Sequence, residues 1–169
     1  MLKRAILFKD ELNRKYLEAL DNDKNKYFYG MYNNFSITID ESDWNALQFV
    51  SVDKNNNVIG YIRGDIDRCV NYISSLAFIN FTGQANVNFS KDCLKFFDLI
   101  FNTYKFNKIN WCVFVGNPAE KVYDKLINKY GGRVVGTYKN DVYTHDKELC
   151  DRKLYELMRE DYLNVRGDI

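Results

Sequence analysis

Apolar residues recur along the chain with two different spacings, and these spacings predict an alternation of helices and strands. Leu12, Tyr16 and Leu20 follow one another at four-residue intervals with charged residues between them, as on the buried face of a helix. Alternating or continuous apolar runs bounded by polar turns indicate strands instead. The pattern predicts helices over residues 9–20, 27–32, 90–104 and 117–130, and strands over residues 47–52, 58–63, 70–80, 109–115, 133–138 and 154–160.

The order of these elements predicts the class of fold. Helices that alternate with strands lead to an α/β protein, in which a mixed sheet has helices on both faces. A chain of 169 residues, of which 46% are apolar, is long enough to bury one substantial core. The chain shows no internal repeat and no linker, so we expect a single domain over residues 1–169.

Composition narrows the range of partners. The net charge of +1 gives no broad positive field, so nucleic acid is not an expected partner. No run of 18 apolar residues occurs, and neither a membrane span nor a signal peptide is expected. Cys69, Cys93, Cys112 and Cys150 form no Cys-x-x-Cys pair and lie at no metal-ligand spacing from a histidine. We therefore expect reduced, mostly buried thiols in a cytoplasmic protein without a metal.

One strand–helix unit carries most of the functional information. The apolar run over residues 109–115 leads into Asn117, Pro118 and Glu120, which suit the N-cap, the first helical position and the third. Gly131 follows the last residue of the predicted helix, as a C-terminal glycine should. Tyr123 lies inside this helix, where its ring either packs in the core or presents its phenol to a ligand.

This unit resembles the second conserved half of the GNAT N-acetyltransferase superfamily. The common family pattern is Asn-x-x-Ala/Ser-x-x-Leu-Tyr-x-Lys, and Ala119, Val122, Tyr123 and Lys125 match its last four defined positions. Gly116 stands at the position of the family's Asn, and Asn117 follows one residue later. The resemblance covers about residues 45–160 as the core, with residues 1–44 as a variable substrate-side part. It implies a mostly antiparallel sheet of six or seven strands.

The resemblance also implies an activity, the transfer of an acetyl group from acetyl-CoA to a primary amine by direct attack. Tyr123 would then protonate the leaving thiolate, because a phenol stays protonated near neutral pH. Asn117 either caps the helix only or also contacts the cofactor. The implied contacts to the pantetheine arm come from the backbone of Ala77, Phe78 and Ile79, where two strands of the family's sheet diverge.

The family's pyrophosphate loop has the pattern Gln/Arg-x-x-Gly-x-Gly/Ala at a strand-to-helix turn. Asn88 and Ser90 stand in place of its two glycines, and Ser90 is the predicted N-cap of the following helix. Without the glycines we expect weaker anion binding, with Lys91 as the nearby cation. The alternative is a polar loop over residues 82–90 that binds no ligand. The aligned cofactor-binding candidates are Ala85, Asn86, Val87, Asn88, Phe89 and Ser90.

The acceptor remains open between a small-molecule amine and a protein N-terminus or lysine. The acidic residues 40–43 either attract a cationic amine or begin a helix with Asp40 or Ser42 as its cap. His145, the only histidine, has no partner that spacing would assign to a catalytic triad. A homodimer is left open. The alternative function is a non-catalytic acyl-CoA-binding or protein-interaction module, which the replaced glycines favour.

Overall fold

A seven-stranded sheet with helices on both faces makes up most of the described chain. The computed structural model describes residues 1–22, 25–27 and 36–166. A 3-10 turn, Ala5–Phe8, precedes the first helix, and a π-helical segment, Leu99–Thr103, follows the second. The strands are β1 (Leu2–Arg4), β2 (Ala46–Val52), β3 (Val58–Asp67), β4 (Tyr72–Asn80), β5 (Lys108–Phe114), β6 (Arg133–Tyr143) and β7 (Leu149–Met158). The helices are α1 (Lys9–Leu20), α2 (Val87–Asp98), α3 (Ala119–Tyr130) and α4 (Arg159–Arg166).

The strands follow one another in the order β1-β2-β3-β4-β5-β7-β6. Every neighbouring pair is antiparallel except β4 and β5, which are parallel. The predicted fold class, a mixed and mostly antiparallel sheet with helices on both faces, is therefore confirmed. The parallel pair is short, because only Tyr72 and Ile73 of β4 lie opposite residues of β5.

Two apolar clusters lie on opposite faces of the sheet. On one face, α1 buries Leu12, Tyr16 and Leu20 against residues of β2 and β3, as the four-residue spacing predicts. On the other face, α2, α3 and α4 enclose a larger cluster that is rich in aromatic rings. Each large side chain buried there contributes about 1.5–3 kcal/mol, so this aromatic cluster contributes strongly to stability. The largest fully buried aromatic residues in it are Tyr155, Tyr162, Phe96, Phe97 and Phe101.

Several predicted boundaries are confirmed. The first helix covers residues 9–20 as predicted, and β2 and β3 form the predicted hairpin. Gly131 ends α3 with a φ of +76° and donates its N–H to the carbonyl of Ile127, which is the expected C-cap. Tyr27 lies in a turn, and the rest of the helix predicted over residues 27–32 falls outside the described residues.

The start of α2 differs from the prediction. Ser90 is not the N-cap, because the helix begins three residues earlier at Val87. Asn86 caps it instead, and its side-chain oxygen accepts the N–H of Phe89 at 3.1 Å. The Ser90 hydroxyl lies within the first turn and donates to the Asn86 carbonyl at 3.1 Å. Tertiary packing explains the choice of cap, since the Phe89 ring occupies the space above Gly60 of β3.

The C-terminal boundaries also differ. Both predicted boundaries of the strand over residues 154–160 are wrong. Strand β7 begins earlier, at Leu149, and residues 159–166 form α4. Glu160 and Asp161 stand in the first turn of this helix, where carboxylates are favourable. Burial of Tyr162 against Phe101 and Tyr130 holds the helix in place. The strand predicted over residues 133–138 continues to Tyr143 through two register shifts against β7.

Three further expectations need correction. Helix α3 begins at Ala119 rather than at residue 117, although the Asn117 side chain still accepts the Ala119 N–H at 2.9 Å. Residues 40–43 do not begin a helix, since bends there lead directly into β2. The four cysteines are free, but Cys69 and Cys112 are exposed and the other two are only partly buried.

The close packing at Gly60 gives a prediction about stability. A Cβ at this position would lie 2.3 Å from the Phe89 ring and 2.9 Å from the Ile79 carbonyl oxygen. We expect Gly60→Ala to lower the free energy of unfolding by about 1–3 kcal/mol, measured by urea denaturation. Gly136→Ala is the control, because nothing lies within 4 Å of a Cβ there. An equal loss in both variants would contradict the role of Phe89 packing.

Candidate functional site

The sheet opens between β4 and β5. Strand β4 pairs with β3 from Tyr72 to Asn80, but it pairs with β5 only at Tyr72 and Ile73. Strand β5 in turn pairs with β7 over its whole length. From Ser74 onward, the edge of β4 that faces β5 therefore has no strand partner in the described chain. We call this space between residues 74–80 of β4 and the C-terminal half of β5 the opening.

A β-bulge lies where the opening begins. The register of β3 and β4 shifts between the pairs Arg63–Ala77 and Asp65–Ser74, which leaves one extra residue in β4. Ser75 has a φ of +53°, a left-handed conformation that is uncommon for a residue other than glycine. Because a bulge bends its strand and increases the local twist, it accounts for the divergence of β4 from β5.

Hydrogen-bond alternation decides which peptide groups of β4 face the opening. The N–H of Phe81 donates to the carbonyl of Ile59 at 3.0 Å. In an antiparallel pair, every second residue then turns its peptide groups toward the partner strand. Ala77 and Ile79 therefore direct their N–H and C=O groups toward β3, and Phe78 directs its own toward the opening. Of the three backbone positions implied by the resemblance, only Phe78 can offer strand-like hydrogen bonds there.

Tyr123 lies beside the opening, on the face of the sheet that is covered by α2 and α3. Its ring centroid is 6.2 Å from that of Phe78, 5.9 Å from that of Trp111 and 5.9 Å from that of Tyr155. Burial raises the pKa of the Tyr123 phenol above its ordinary value, with smaller contributions from nearby cysteines. The hydroxyl forms no hydrogen bond with the part of the chain described here. Because its pKa is raised, the phenol keeps its proton near neutral pH.

The connection from β4 to α2 is ordered by its own side chains. The Asn80 amide donates to the Gln84 carbonyl at 2.7 Å and accepts the Thr82 N–H at 2.9 Å. Gly83 has a φ of +69° and provides the turn. The resemblance pointed to residues 88 and 90 as the glycine positions, but the turn glycine lies five residues before the first of them. A glycine after Thr82 is the signal that could have located it.

The first turn of α2 points its backbone N–H groups at this connection. Val87 and Asn88 occupy the first two helical positions, and their N–H groups have no acceptor within the described residues. Such groups, at the positive end of the helix dipole, favour an anion. Of the remaining loop candidates, Ala85 and Asn86 end the connection, whereas Phe89 and Ser90 are helical. The Phe89 ring packs on Gly60 and is not free to contact a ligand.

Asn117 lies where β5 passes into α3. Its side-chain oxygen accepts the N–H of Ala119 at 2.9 Å, so that atom serves the helix start. Glu120 accepts the N–H of Gly116 at 2.9 Å, one residue before the position expected for a capping box. The interaction orders the turn between the strand and the helix that carries Tyr123.

A polar network behind Tyr123 was not found by sequence reasoning. Lys153 of β7 lies 2.7 Å from Asp124 and 3.3 Å from Glu120, both on α3. The Tyr155 hydroxyl donates to the same Asp124 carboxylate at 2.9 Å. The hydrogen bond from Lys153 lowers the pKa of Asp124. This network joins α3 to β7, and its members lie about 30 residues apart, so no local pattern reveals it.

The described residues offer little support for other kinds of site. No group of three or more His, Cys, Asp and Glu side chains among them could hold a metal ion. None of the helices formed by residues 1–22, 25–27 and 36–166 is long and apolar enough to cross a membrane. His145 lies in the turn between β6 and β7, and its N–H donates to the Lys26 carbonyl at 2.9 Å.

Comparisons of the fold with known proteins agree with this geometry. No protein-family model and no curated protein sequence matches the chain. A solved variant of the spermidine N-acetyltransferase SpeG from Vibrio cholerae superposes with a TM-score of 0.69 at 20% identity, covering 99% of both chains. A chimera of the Vibrio cholerae enzyme and hSSAT gives 0.61 at 22% identity, over 72% of this chain and 74% of the other. A probable acetyltransferase gives 0.56 at 15% identity, over 70% and 65%.

These matches cover most of the chain, and all three are named as acetyltransferases. Their low sequence identity limits what they establish to the fold. The resemblance inferred from the strand–helix unit is confirmed at that level: the chain has the fold of the GNAT N-acetyltransferases.

Proposed function

We propose that the protein is an N-acetyltransferase that moves an acetyl group from acetyl-CoA to a primary amine. The observation that carries this proposal is the position of Tyr123. Its protonated hydroxyl, without a partner in the described chain, lies beside the opening that the unpaired edge of β4 borders. A proton donor next to an unpaired strand edge suits a reaction in which a thiolate leaves and an extended ligand lies along that edge.

The residues that border the opening fit the cofactor. The peptide groups of Phe78 face the opening and can form strand-like hydrogen bonds with the pantetheine amides. The N–H groups of Val87 and Asn88 can donate hydrogen bonds to the pyrophosphate at the start of α2. Asn117, with its oxygen engaged in capping, can offer only its amide N–H groups. In the proposal the side chains of Ala77 and Ile79 lie on the face of the sheet opposite Tyr123, and the backbone of residues 85–90 forms the phosphate end.

The proposed mechanism follows from these positions. Bound acetyl-CoA supplies a thioester, whose carbonyl carbon is attacked by the neutral amine. A backbone N–H of β4 near the bulge stabilises the negative charge that develops on the carbonyl oxygen. Tyr123 donates its proton to the leaving sulfur, the proton lost by the amine passes to water, and the Tyr123 phenolate takes a proton back from water, so the phenol is restored. Holding both reactants at the opening supplies much of the rate enhancement.

We also propose a cationic small-molecule amine as the acceptor. The solved neighbours from Vibrio cholerae are named for spermidine, and this chain carries the acidic residues Asp40, Glu41 and Asp43 just before β2. The Asp40 N–H is held by the Gln48 side chain at 2.8 Å. Although burial opposes it, Asp65 raises the pKa of Arg63, with a smaller contribution from Asp40. Arg63 of β3 lies opposite Ala77 of β4, so the charge of Asp40 acts one strand away from the opening.

A single domain over residues 1–169 and a cytoplasmic location complete the proposal. Four free cysteines are consistent with a reducing compartment. The replaced glycines favour one competing function, a GNAT-shaped module that binds acyl-CoA or a protein without turnover. Turnover that depends on the Tyr123 hydroxyl separates the two functions, because a binding module has no turnover to lose.

Calorimetric titration with acetyl-CoA, with coenzyme A alongside, tests the proposal. We expect saturable binding at one site per chain with a Kd of about 1–100 μM, within the range in which enzymes hold their substrates. A positive result justifies screening spermidine and other amines for thiol release. Absence of binding at millimolar ligand would contradict the proposed function.

A further inference from the structure

Trp111 of β5 has a buried hydrogen-bond donor that nothing in the described chain satisfies. Its side chain is 3% exposed, and its Nε1 has no hydrogen-bond partner among the described residues. A buried indole N–H usually finds an acceptor, because an unmade hydrogen bond costs the desolvation of the group. Phenylalanine would fill an apolar position here without that cost. The donor therefore points to an acceptor that the described residues do not provide.

The location of Trp111 indicates where that acceptor comes from. Ile109 is the last residue of β5 that pairs with β4, and Trp111 follows two residues later, where the strands have parted. Its ring lies 5.9 Å from that of Tyr123 and nearly perpendicular to it, at 80°. The hydroxyl of Tyr123 also lacks a partner in the described chain. Two unsatisfied donors thus lie together at the edge of the opening.

The surroundings restrict the chemistry of the acceptor. Phe97 lies 6.2 Å from Trp111, and Tyr155 stacks on it at 5.4 Å, so the indole is enclosed by aromatic rings. An enclosure of this kind disfavours a charged phosphate or carboxylate. Lys153, whose Nζ lies 5.4 Å from the centroid of the Tyr155 ring, is already paired with Asp124 and Glu120. A neutral carbonyl oxygen, as in an amide or a thioester, is the acceptor that fits.

We propose that Trp111 binds the acyl-pantetheine end of the cofactor by donating its indole N–H to a carbonyl oxygen. The inference rests on the proposed function, because it assumes that an acyl-CoA enters the opening. It adds a binding residue on β5 that lies outside the strand-to-helix motifs of the resemblance. Trp111 then contributes affinity for the cofactor, whereas Tyr123 acts in the chemical step.

The chain contains two tryptophans, which makes a direct observation feasible. Trp44 is 64% exposed, so Trp44→Phe leaves Trp111 as the single indole without disturbing the core. We expect the indole proton resonance of Trp111 in this ¹⁵N-labelled variant to move downfield and exchange more slowly on saturation with acetyl-CoA. An indole signal that stays unchanged, while calorimetry shows saturable binding, would overturn this inference and leave the proposed function intact.

Affinity gives a second and independent test. We expect Trp111→Phe to raise the Kd for acetyl-CoA about three- to tenfold, the loss of one hydrogen bond. Trp44→Phe is the matched control and should leave the Kd unchanged. A Trp111→Phe protein that binds acetyl-CoA as tightly as the parent contradicts the inference. If Trp111→Phe does not fold, the indole resonance of Trp111 in the Trp44→Phe variant tests the inference instead. No binding by the parent protein would reject both this inference and the proposed function.

Discussion

Replacing Tyr123 by phenylalanine is expected to lower kcat by about 100- to 1,000-fold and to leave the Kd for acetyl-CoA within about twofold. The ring and its contacts with Phe78, Trp111 and Tyr155 remain in the variant, so only the proton donor is lost. Steady-state kinetics of thiol release with a saturating amine give kcat, and calorimetry gives the Kd. A module that binds acyl-CoA without turnover would show no activity to lose.

Tyr130→Phe is the control for this variant. Tyr130 lies on the same helix but is 3% exposed in the aromatic cluster, where its ring packs on Tyr162. Removing its hydroxyl should leave kcat unchanged. If Tyr123→Phe retains full activity, the leaving thiolate takes its proton from water or from another group. The proposed role of Tyr123 would then be wrong.

The raised pKa of Tyr123 also shapes the pH dependence of the same assay. An acid acts below its pKa and is lost above it, so raising the pKa moves this loss to more alkaline pH. An amine acceptor, with a pKa near 10 in water, reacts in its deprotonated form. We therefore expect kcat/KM to rise from about pH 6 and to show no falling limb below about pH 10. A falling limb centred near neutral pH would show that a different group is the acid.

An acidic residue at the start of α2 should affect stability and cofactor affinity in opposite directions. Val87 is 70% exposed, so Val87→Asp leaves the core intact. A carboxylate at the first helical position stabilises a helix by about 0.3–1 kcal/mol through the helix dipole. The same charge would repel the pyrophosphate. We expect a rise of about 10- to 100-fold in the Kd for acetyl-CoA, measured by calorimetry beside thermal unfolding.

Val165→Asp on α4 is the control, because Val165 is exposed at 48% and lies on a helix that the proposed phosphate site does not use. Val165→Asp changes the net charge of the protein by the same amount as Val87→Asp does. It should leave the Kd for acetyl-CoA nearly unchanged. Equal losses of affinity in both variants would point to a general charge effect. If Val87→Asp stabilises the protein and binds acetyl-CoA normally, the phosphates lie elsewhere.

Sequence reasoning succeeded where local signals and tertiary packing agree. Leu12, Tyr16 and Leu20 defined α1, and Gly131 marked the end of α3. The start of α2 was misplaced because Asn86, Asn88 and Ser90 are all suitable caps. The decision between them came from Phe89, whose ring requires the space at Gly60 on a distant strand.

The same distinction applies to the candidate site. Tyr123 could be singled out because the strand–helix pattern around it is contiguous in sequence. The network of Asp124, Lys153 and Tyr155 could not, because its members come from α3 and β7. The bulge at Ser75 had no signal either, since serine gives no local indication of a left-handed backbone. Such features arise from the pairing of strands, which one sequence does not specify.

The two-residue contact between β4 and β5 divides the sheet into a four-stranded and a three-stranded block. Few backbone hydrogen bonds cross that boundary, so the cohesion of the two blocks depends on the aromatic side chains of α2, α3 and α4 packed over it. A ligand that lies along β4 and contacts Trp111 of β5 would touch both blocks. Its binding free energy would then stabilise their association. We therefore expect bound ligand to raise the stability of the junction between the two blocks in addition to occupying the site.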